Sequence, residues 1–331
     1  MDSLTQAVLG AAVGQQAAGK TLGNRAVLYG AMLGTIPDLD VYAGKFYDTV
    51  TALEVHRGFS HSIVFYLMLA PVLAWLIQKL EKGKIQYIPA LKMTFLCLVT
   101  HPILDAFTTW GTQLFWPLEQ RLDFKTIFVI DPLYTLPFLY CLVRGMLAKE
   151  WTRRIRWNTR GLVISSCYLV LSVVIKTASV NVFTRALDEQ NIAYSRLIVK
   201  PSPMNLILWN ANIETQDGYY LADYSYFDSS PISFVFYPKG YEFLGEMTRS
   251  PVIMQLTRIS EGWFIITKQD GKVFFNDLRF GLMNDDPKNP KFVFSYELTS
   301  HQGTIVVKEV DKNRDDAAAV LGRLMERIAG R

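Results

Sequence analysis

Histidines and aspartates of the kind that bind metal ions recur through the first part of this sequence. Three of the four histidines in the protein belong to this set. Two of its members, His101 and Asp105, stand four residues apart, so that one face of a helix would present both. Imidazole and carboxylate together are the preferred ligands of zinc, manganese and iron. The predicted metal ligands are His56, His61, His101, Asp105, Asp38 and Asp40.

The same residues could carry hydrolytic chemistry. A divalent ion, zinc first with manganese or iron as alternatives, would offset the charge of several acids in an apolar setting and activate a water. A carboxylate that does not bind the ion, Asp38 or Asp40, could act as general base. Arg57 could neutralise a phosphate or a developing oxyanion. These three residues form the predicted catalytic set.

Several of these residues also have a simpler structural interpretation. The two aspartates after Pro37 could form a turn, and Asp131 could cap the start of a helix. A serine nucleophile is disfavoured, because the segment Gly58–Ser62 lacks the second glycine of a nucleophile elbow. Residues of the same types recur in several segments, at one predicted depth in a membrane and on one predicted side of it. This coincidence favours a metal site.

The elements that must position these residues are predicted to be membrane helices. Half of the 331 residues are hydrophobic and 19% are charged, whereas soluble proteins carry roughly 25% charged residues. Two apolar stretches near the start contain the repeats Gly10…Gly14 and Gly30…Gly34, a spacing that lets helices approach closely and predicts a tight hairpin. Further on, the segments that reach or approach the roughly 20 residues needed to cross a bilayer are Ser62–Lys79, Gln86–Phe107, Ile127–Leu147 and Gly161–Phe183.

The distribution of basic residues predicts the direction of these spans. Residues 144–160 carry six Lys and Arg against one acid, while the loops near the candidate ligands are neutral or acidic. Because cytoplasmic loops are enriched in Lys and Arg, the candidate ligands all fall near the outer ends of the spans. The last span then delivers the rest of the chain to the outer side. No basic run interleaved with aromatics is present, so direct nucleic-acid binding is not expected.

The chain changes character after Phe183, where short β-branched and aromatic runs alternate with turn signals. A hairpin turn is predicted at Gln269-Asp270-Gly271, and a closing helix at Asp315–Ile328. The predicted strands are Ser195–Val199, Ile232–Tyr237, Trp263–Thr267, Lys291–Tyr296 and Thr304–Val310. The predicted fold is an α-helical membrane domain over residues 1–183, with about four full spans plus the short N-terminal hairpin. A soluble α+β domain, mainly antiparallel β, follows over residues 184–331.

The site motifs resemble those of the bacterial inner-membrane-associated metal-dependent hydrolases, a family described as LexA-binding. The matching motifs are Met1-Asp-Ser-Leu-Thr5, Pro37-Asp38-Leu-Asp40, His56-Arg-Gly-Phe-Ser-His61-Ser62 and His101-Pro-Ile-Leu-Asp105, followed by Thr108 and Gly111. The resemblance spans roughly residues 1–180 and implies an inner-membrane hydrolase with its metal ligands among these positions. Many members carry a histidine where this chain has Gln6, so no extra ligand is expected from the first helix. The implied association with LexA would need a cytoplasmic surface, which residues 144–160 offer.

Three functions compete at this point. The first is a membrane-embedded metal-dependent hydrolase of an ester or phosphoester, whose lipid or lipid-linked substrate enters from the headgroup level. The second is a non-enzymatic scaffold or regulatory protein with a structural metal, which a closed four-ligand site would support. The third, an ion transporter, fits poorly, because the candidate residues cluster on one side and no relay continues toward the cytoplasm.

Overall fold

The computed structural model describes residues 1–284, 289–301, 304–310 and 317–330. Helices make up the first part of the chain and strands most of the second. The helices are α1 Ser3–Leu22, α2 Asn24–Thr35, α3 Asp40–Gly44, α4 Thr49–Val55, α5 Ile63–Leu80, α6 Tyr87–Asp105, α7 Pro132–Leu147, α8 Trp151–Glu189, α9 Pro251–Ile259 and α10 Ala317–Ile328. Short 3-10 helices occupy Pro37–Leu39, Phe59–His61 and Tyr241–Arg249.

Three of the described helices are long and apolar enough to cross a membrane, namely α5, α6 and α8. Helix α7 has 16 residues, because its start is set by Pro132 and by Asp131, whose side chain accepts from the backbone N–H groups of Leu133 and Tyr134. Helix α8 has 39 residues and includes most of the basic stretch that was predicted to be a loop. The count of four full spans stays a prediction.

The predicted N-terminal hairpin is formed by α1 and α2, whose glycines allow direct backbone contact. A Cβ atom added at Gly10 would lie 2.3 Å from the carbonyl oxygen of Gly30, and one at Gly14 would lie 2.4 Å from that of Ala26. The turn between the helices passes through Gly23 at a φ of 62°, which glycine adopts without steric penalty. The spacing of small residues therefore sets how closely these helices pack.

Residue contacts divide the chain into two units. The helical unit contains Met1–Lys45, Val55–Val174 and Pro203–Asn205. The sheet unit contains Phe46–Glu54, Ile175–Ser202 and Leu206–Arg331. The domain boundary predicted between residues 183 and 184 falls within α8. Helix α4 lies almost wholly in the sheet unit, although in sequence it stands between Asp40 and His56 of the helical unit.

The sheet unit contains two antiparallel four-stranded sheets, each with its strands in sequence order. The first sheet is β1 Arg196–Pro201, β2 Leu208–Glu214, β3 Gly218–Ser225 and β4 Val235–Pro238. The second is β5 Phe264–Gln269, β6 Lys272–Leu282, β7 Phe292–His301 and β8 Thr304–Glu309. Buried residues of both sheets share one core, among them Tyr219, Leu221, Trp263 and Leu278. The prediction of a mainly antiparallel β region after the helices is confirmed.

The local turn and strand signals were reliable, although the element ends shift by a few residues. The turn between β5 and β6 consists of Asp270 and Gly271, with φ of 50° and 79°, as a two-residue hairpin loop requires. Strand β2 and helix α9 were not predicted. The predicted closing helix corresponds to α10, and its first two predicted residues, Asp315 and Asp316, lie outside the described residues.

Substitution of Gly30 by alanine is expected to destabilise the helical unit, since the new Cβ atom would lie 2.2 Å from the Gly10 carbonyl oxygen. Overpacking of this kind costs typically about 1–3 kcal/mol. Buried Cys97, whose Sγ donates to that same carbonyl at 3.4 Å, provides a probe. A thiol-reactive fluorophore would follow thermal unfolding in a Cys167→Ser background, which removes the exposed thiol.

Gly322→Ala in α10 serves as the control, because no atom of the described residues lies within 4 Å of the added Cβ atom there. That variant should unfold at the wild-type temperature or slightly above it, since alanine is the better helix former. An unchanged midpoint for Gly30→Ala would show that the two helices do not depend on their close approach.

Candidate metal centre

Four side chains of the helical unit converge on one buried point, and all four belong to the predicted ligand set. They are Asp38, His61, His101 and Asp105, and one ligand atom from each lies within 4.8 Å of the others. Asp38 and His61 come from two short 3-10 helices, while His101 and Asp105 occupy one face at the end of α6. Asp38 is the only member with notable exposure, at 19% of its side chain. These four residues, hereafter the metal centre, could hold a metal ion.

Five of the six separations between the ligand atoms suit a tetrahedral ion. The two Nε2 atoms of His61 and His101 are 3.2 Å apart. Asp38 Oδ1 lies 3.5 and 3.3 Å from these two nitrogens, and Asp105 Oδ2 lies 3.6 and 3.5 Å from them. Tetrahedral zinc with bonds of about 2.0–2.1 Å needs its ligands about 3.3–3.4 Å apart. The donor set and its spacing therefore fit a divalent ion.

Hydrogen bonds around the centre indicate that both imidazoles face it with a lone pair. His101 Nδ1 donates to the Gly34 carbonyl oxygen at 2.6 Å, and His61 Nδ1 lies 3.4 Å from Asp40 Oδ2. A neutral imidazole that donates through one nitrogen presents an acceptor on the other. Two lone pairs and two carboxylate oxygens then point at one place, an arrangement that is repulsive unless a cation offsets it.

Asp40 orients the histidines from outside the metal centre. Its Oδ1 lies 2.9 Å from His56 Nδ1, and its Oδ2 accepts from Ser60 Oγ at 2.7 Å and from the Arg57 backbone N–H at 3.0 Å. Burial raises the pKa of the Asp40 carboxyl, but hydrogen bonds from His56 and His61 outweigh it and hold that pKa well below its usual range. Carboxylates commonly hold metal-binding imidazoles in this way.

The structure does not bring every predicted ligand into the centre. Neither His56 nor Asp40 joins the four-residue group. His56, with 28% of its side chain exposed, lies against Asp40 instead. Their metal-binding roles stay predictions, and the observed contacts favour an orienting role for both residues.

Arg57, predicted to neutralise an anion, lies buried beside Asp105. Its Nε is 3.1 Å from Asp105 Oδ2, and its Nη1 donates to Thr108 Oγ1 at 3.1 Å. The other carboxylate oxygen, Oδ1, accepts from Gln6 Nε2 at 2.9 Å and from the amino group of Met1. Among the described residues, Asp105 Oδ2 has no hydrogen-bond partner. That oxygen is thus paired with the Arg57 guanidinium without a hydrogen bond, while it also faces His61 Nε2 and His101 Nε2 of the centre.

The helical hairpin contributes directly to the geometry of the centre. Helix α2 ends at Thr35, so that the Gly34 carbonyl is free of an intrahelical partner and accepts from His101. A Cβ atom added at Gly34 would lie 2.6 Å from the carbonyl oxygen of Gln6. The close contact between small residues of α1 and α2 therefore also positions the Gly34 carbonyl. That carbonyl in turn orients His101.

Sequence reasoning missed Tyr66, a residue of α5. Its side chain is fully buried, and its hydroxyl has no hydrogen-bond partner among the described residues. The carboxylates of Asp105, Asp38 and Asp40 act on this hydroxyl electrostatically. One signal in the sequence could have found it: Tyr66 stands four residues, about one helical turn, after Ser62, the neighbour of His61.

Asp131, considered either as a site residue or as a cap, lies at the start of α7. It caps that helix, and its second oxygen accepts from the Tyr168 hydroxyl at 2.7 Å. It is not among the residues that form the metal centre. The simpler interpretation therefore accounts for its position.

Comparison with known proteins relates the chain to inner membrane proteins. The family model described as YdjM inner membrane protein matches residues 1–179, a stretch that contains the whole metal centre and ends before β1. Inner membrane protein YbcI of Escherichia coli (strain K12) is 30% identical over 158 residues, which cover 45% of this chain and 89% of that protein. No solved structure matches the chain significantly.

The geometry predicts that the histidines differ in their effect on metal content. His61→Ala and His101→Ala should each abolish stoichiometric binding of zinc, because each removes a nitrogen from the centre. Asp40→Asn should weaken zinc binding roughly 10–100-fold through the loss of an orienting contact. Elemental analysis of the detergent-purified protein and a chelator competition would measure both effects.

His56→Ala is the matched control, since this histidine lies outside the four-residue group. It should retain stoichiometric zinc. Equal metal content in all of these folded variants, or no metal in any after zinc-replete preparation, would exclude the centre described above.

Proposed function

This chain belongs to the YdjM inner membrane protein family, and we propose that it is a membrane-embedded metal-dependent hydrolase. Its substrate would be an ester or phosphoester of a lipid or of a lipid-linked molecule. The observation that carries the proposal is the convergence of two imidazole nitrogens and two carboxylate oxygens on one buried point at the end of α6. Zinc is the preferred ion for this donor set and spacing, with manganese and iron as alternatives.

The residues of the centre have distinct roles in this proposal. A bound divalent ion would supply Lewis acidity and lower the pKa of a coordinated water. Asp38, the partly exposed member, would accept a proton from an attacking water. Asp40 would orient His61 so that its Nε2 faces the centre, and His56 would hold Asp40 in place through its contact with Oδ1. Arg57 keeps a positive charge at the buried wall of the site.

The proposed topology follows the basic residues. The first turns of α8 lie in the basic stretch of residues 144–160, which supports a cytoplasmic start for that helix. The metal centre and the sheet unit would then lie on the outer side of a multi-pass protein. Lipids would be both its surroundings and the source of its substrate, at the level of the headgroups. The association with LexA stays a prediction, with residues 144–160 as its cytoplasmic surface.

A second candidate function is a scaffold or regulatory protein in which the metal is structural. One observation favours it: the four protein ligands would fill all positions of a tetrahedral ion, as in structural zinc sites. The two functions differ in what zinc removal does. A structural ion is needed for folding, whereas a catalytic centre should lose activity while the helices remain folded.

Zinc-loaded protein is expected to cleave phospholipid in mixed micelles or a simple aryl phosphate or aryl ester, measured as release of headgroup, phosphate or phenol. Asp38→Asn should reduce turnover by about 10²-fold or more, since it removes the proposed general base. Chelation should abolish turnover, and added zinc should restore it. Absence of turnover on all of these substrates, together with unfolding on chelation, would instead establish the structural role.

Tyr66→Phe should separate catalysis from stability. It removes a buried hydroxyl that has no hydrogen-bond partner among the described residues, so folding should be unchanged or slightly favoured. Turnover should fall roughly 10²-fold if that hydroxyl donates to the oxyanion of the substrate. Tyr29→Phe is the control, because its hydroxyl donates to Glu81 at 2.8 Å and its loss should affect stability alone. Unchanged turnover in Tyr66→Phe would exclude this role.

A further inference from the structure

The chain between α6 and α7 forms a closed loop at residues 112–122, hereafter the α6–α7 loop. The Thr112 backbone N–H donates to the Leu122 carbonyl at 3.1 Å, and the Leu122 N–H donates to the Thr112 carbonyl at 2.9 Å. Gly111 precedes the loop with a φ of 67°, and a Cβ atom added there would lie 2.5 Å from the Leu122 carbonyl oxygen. The two ends of the loop are therefore held together by backbone hydrogen bonds, at a close approach that glycine allows.

The middle of the α6–α7 loop exposes large apolar side chains, those of Phe115, Trp116 and Leu118. A contiguous exposed apolar surface of this kind marks an interaction site. The charged residues of the loop are Glu119 and Arg121, so its net charge is zero. A partner of this loop is therefore recognised by apolar contact and not by charge.

The loop lies at one end of two helices that are long and apolar enough to cross a membrane. The Leu114 carbonyl accepts from the backbone N–H of Ile63, the first residue of α5, at 3.0 Å. Just after the loop, the Phe124 N–H donates to the carbonyl of Ala106, the residue that follows α6, at 2.6 Å. The loop therefore lies where α5 begins and α6 ends.

Aromatic contacts join the loop to the exposed surface of α5. The Phe59 ring lies 5.2 Å from that of Phe65, in the first turn of α5, and 4.8 Å from that of Trp116. Further along α5, Leu67 and Met68 are exposed, as expected for a helix that faces lipid. Tryptophan is enriched at the boundary between lipid tails and water, because its ring is apolar and its N–H is polar. The loop thus continues the apolar surface of α5 with a residue type that is common at the membrane boundary.

The same loop is bonded to the segment beside the metal centre. The Gln113 backbone N–H donates to the Arg57 carbonyl at 3.1 Å, and Arg121 Nη2 donates to the His56 carbonyl at 3.0 Å. The side chain of Arg57 in turn lies against Asp105 of the centre. Both sides of the loop therefore contact residues that border the metal centre.

We propose that residues 115–118 of the α6–α7 loop insert into the boundary between lipid headgroups and lipid tails, so that this loop is a lipid-binding surface of the helical unit. A bilayer is favoured as the partner because the loop adjoins α5, whose surface is apolar and largely exposed. Since the loop has no net charge, zwitterionic lipid is sufficient. The consequence for catalysis rests on the proposed function: a loop inserted in lipid and bonded to His56 and Arg57 brings phospholipid headgroups beside the metal centre.

Spin labels on the full-length protein in phosphatidylcholine vesicles test the insertion. A label at Leu118→Cys is compared with one at Leu67→Cys, the lipid reference in α5, and one at Lys84→Cys, the water reference in the exposed link between α5 and α6. Leu118 and Leu67 are matched in exposure, at 64% and 59%. A Cys167→Ser background removes the exposed thiol, and the other two cysteines are buried. The readout compares collisions with oxygen, which concentrates in lipid tails, and with a nickel chelate, which stays in water.

The ratio of oxygen to nickel collisions at Leu118→Cys should be several-fold above that at Lys84→Cys and nearer to that at Leu67→Cys. Added salt or anionic lipid should not change it, because the loop has no net charge. A ratio equal to that of the water reference would place the loop in water, and a label reached by neither reagent would show that protein covers it. Either result would overturn the proposal.

Leu118→Glu tests the consequence for turnover, with Gln120→Glu as the control that adds the same charge at an exposed polar position of the loop. Turnover of vesicle phospholipid by Leu118→Glu should fall roughly tenfold, since the transfer free energy that keeps the leucine in lipid is lost. Turnover of a water-soluble aryl ester should stay unchanged, and the control should retain both activities. Equal phospholipid turnover by the two variants would exclude a role of the loop in substrate supply. If the wild type cleaves neither substrate, the proposed function fails, while the spin labels still decide whether the loop inserts.

Discussion

The arrangement of the helical unit depends on how four electron-rich atoms can share one buried point. Two carboxylate oxygens and two imidazole nitrogens lie within 4.8 Å of one another, and like groups at that distance repel in a medium of low dielectric constant. A divalent ion would offset this repulsion, and the Arg57 guanidinium beside Asp105 offsets part of it. The other polar atoms of three ligands contact groups outside the centre. His101 Nδ1 contacts the Gly34 carbonyl, His61 Nδ1 the Asp40 carboxylate and Asp105 Oδ1 the Gln6 amide. These outward bonds determine which atom of each ligand is left for the ion.

Each of the elements around the metal centre contributes a ligand or a contact to it. Helix α6 presents a histidine and an aspartate on one face in its last turn, and two 3-10 helices present the other two ligands. The α1–α2 hairpin is packed tightly enough for the end of α2 to reach His101. Rigid helix packing is well suited to such a site, because ligand atoms must be held to within a fraction of an ångström.

The two units contribute differently to function. The helical unit contains the metal centre and most of the family match, so the candidate site belongs to the part shared with other inner membrane proteins. Most of the sheet unit lies beyond the match, although it includes α4, which stands between Asp40 and His56 in sequence. A closed set of four ligands and a partly exposed Asp38 are compatible with either a structural or a catalytic ion.

Local features were determined by the sequence alone. The four-residue spacing of His101 and Asp105, the glycine repeats of the hairpin and the Asp270-Gly271 turn act through neighbours along the chain, so their patterns could be recognised without a fold. The tertiary structure decided which candidates meet: His61 joins the centre, whereas His56 lies against Asp40, and Arg57 pairs with Asp105. It also placed α4 in the sheet unit and Tyr66 near the carboxylates. These outcomes depend on distances between segments far apart in sequence, which residue types and spacing do not encode.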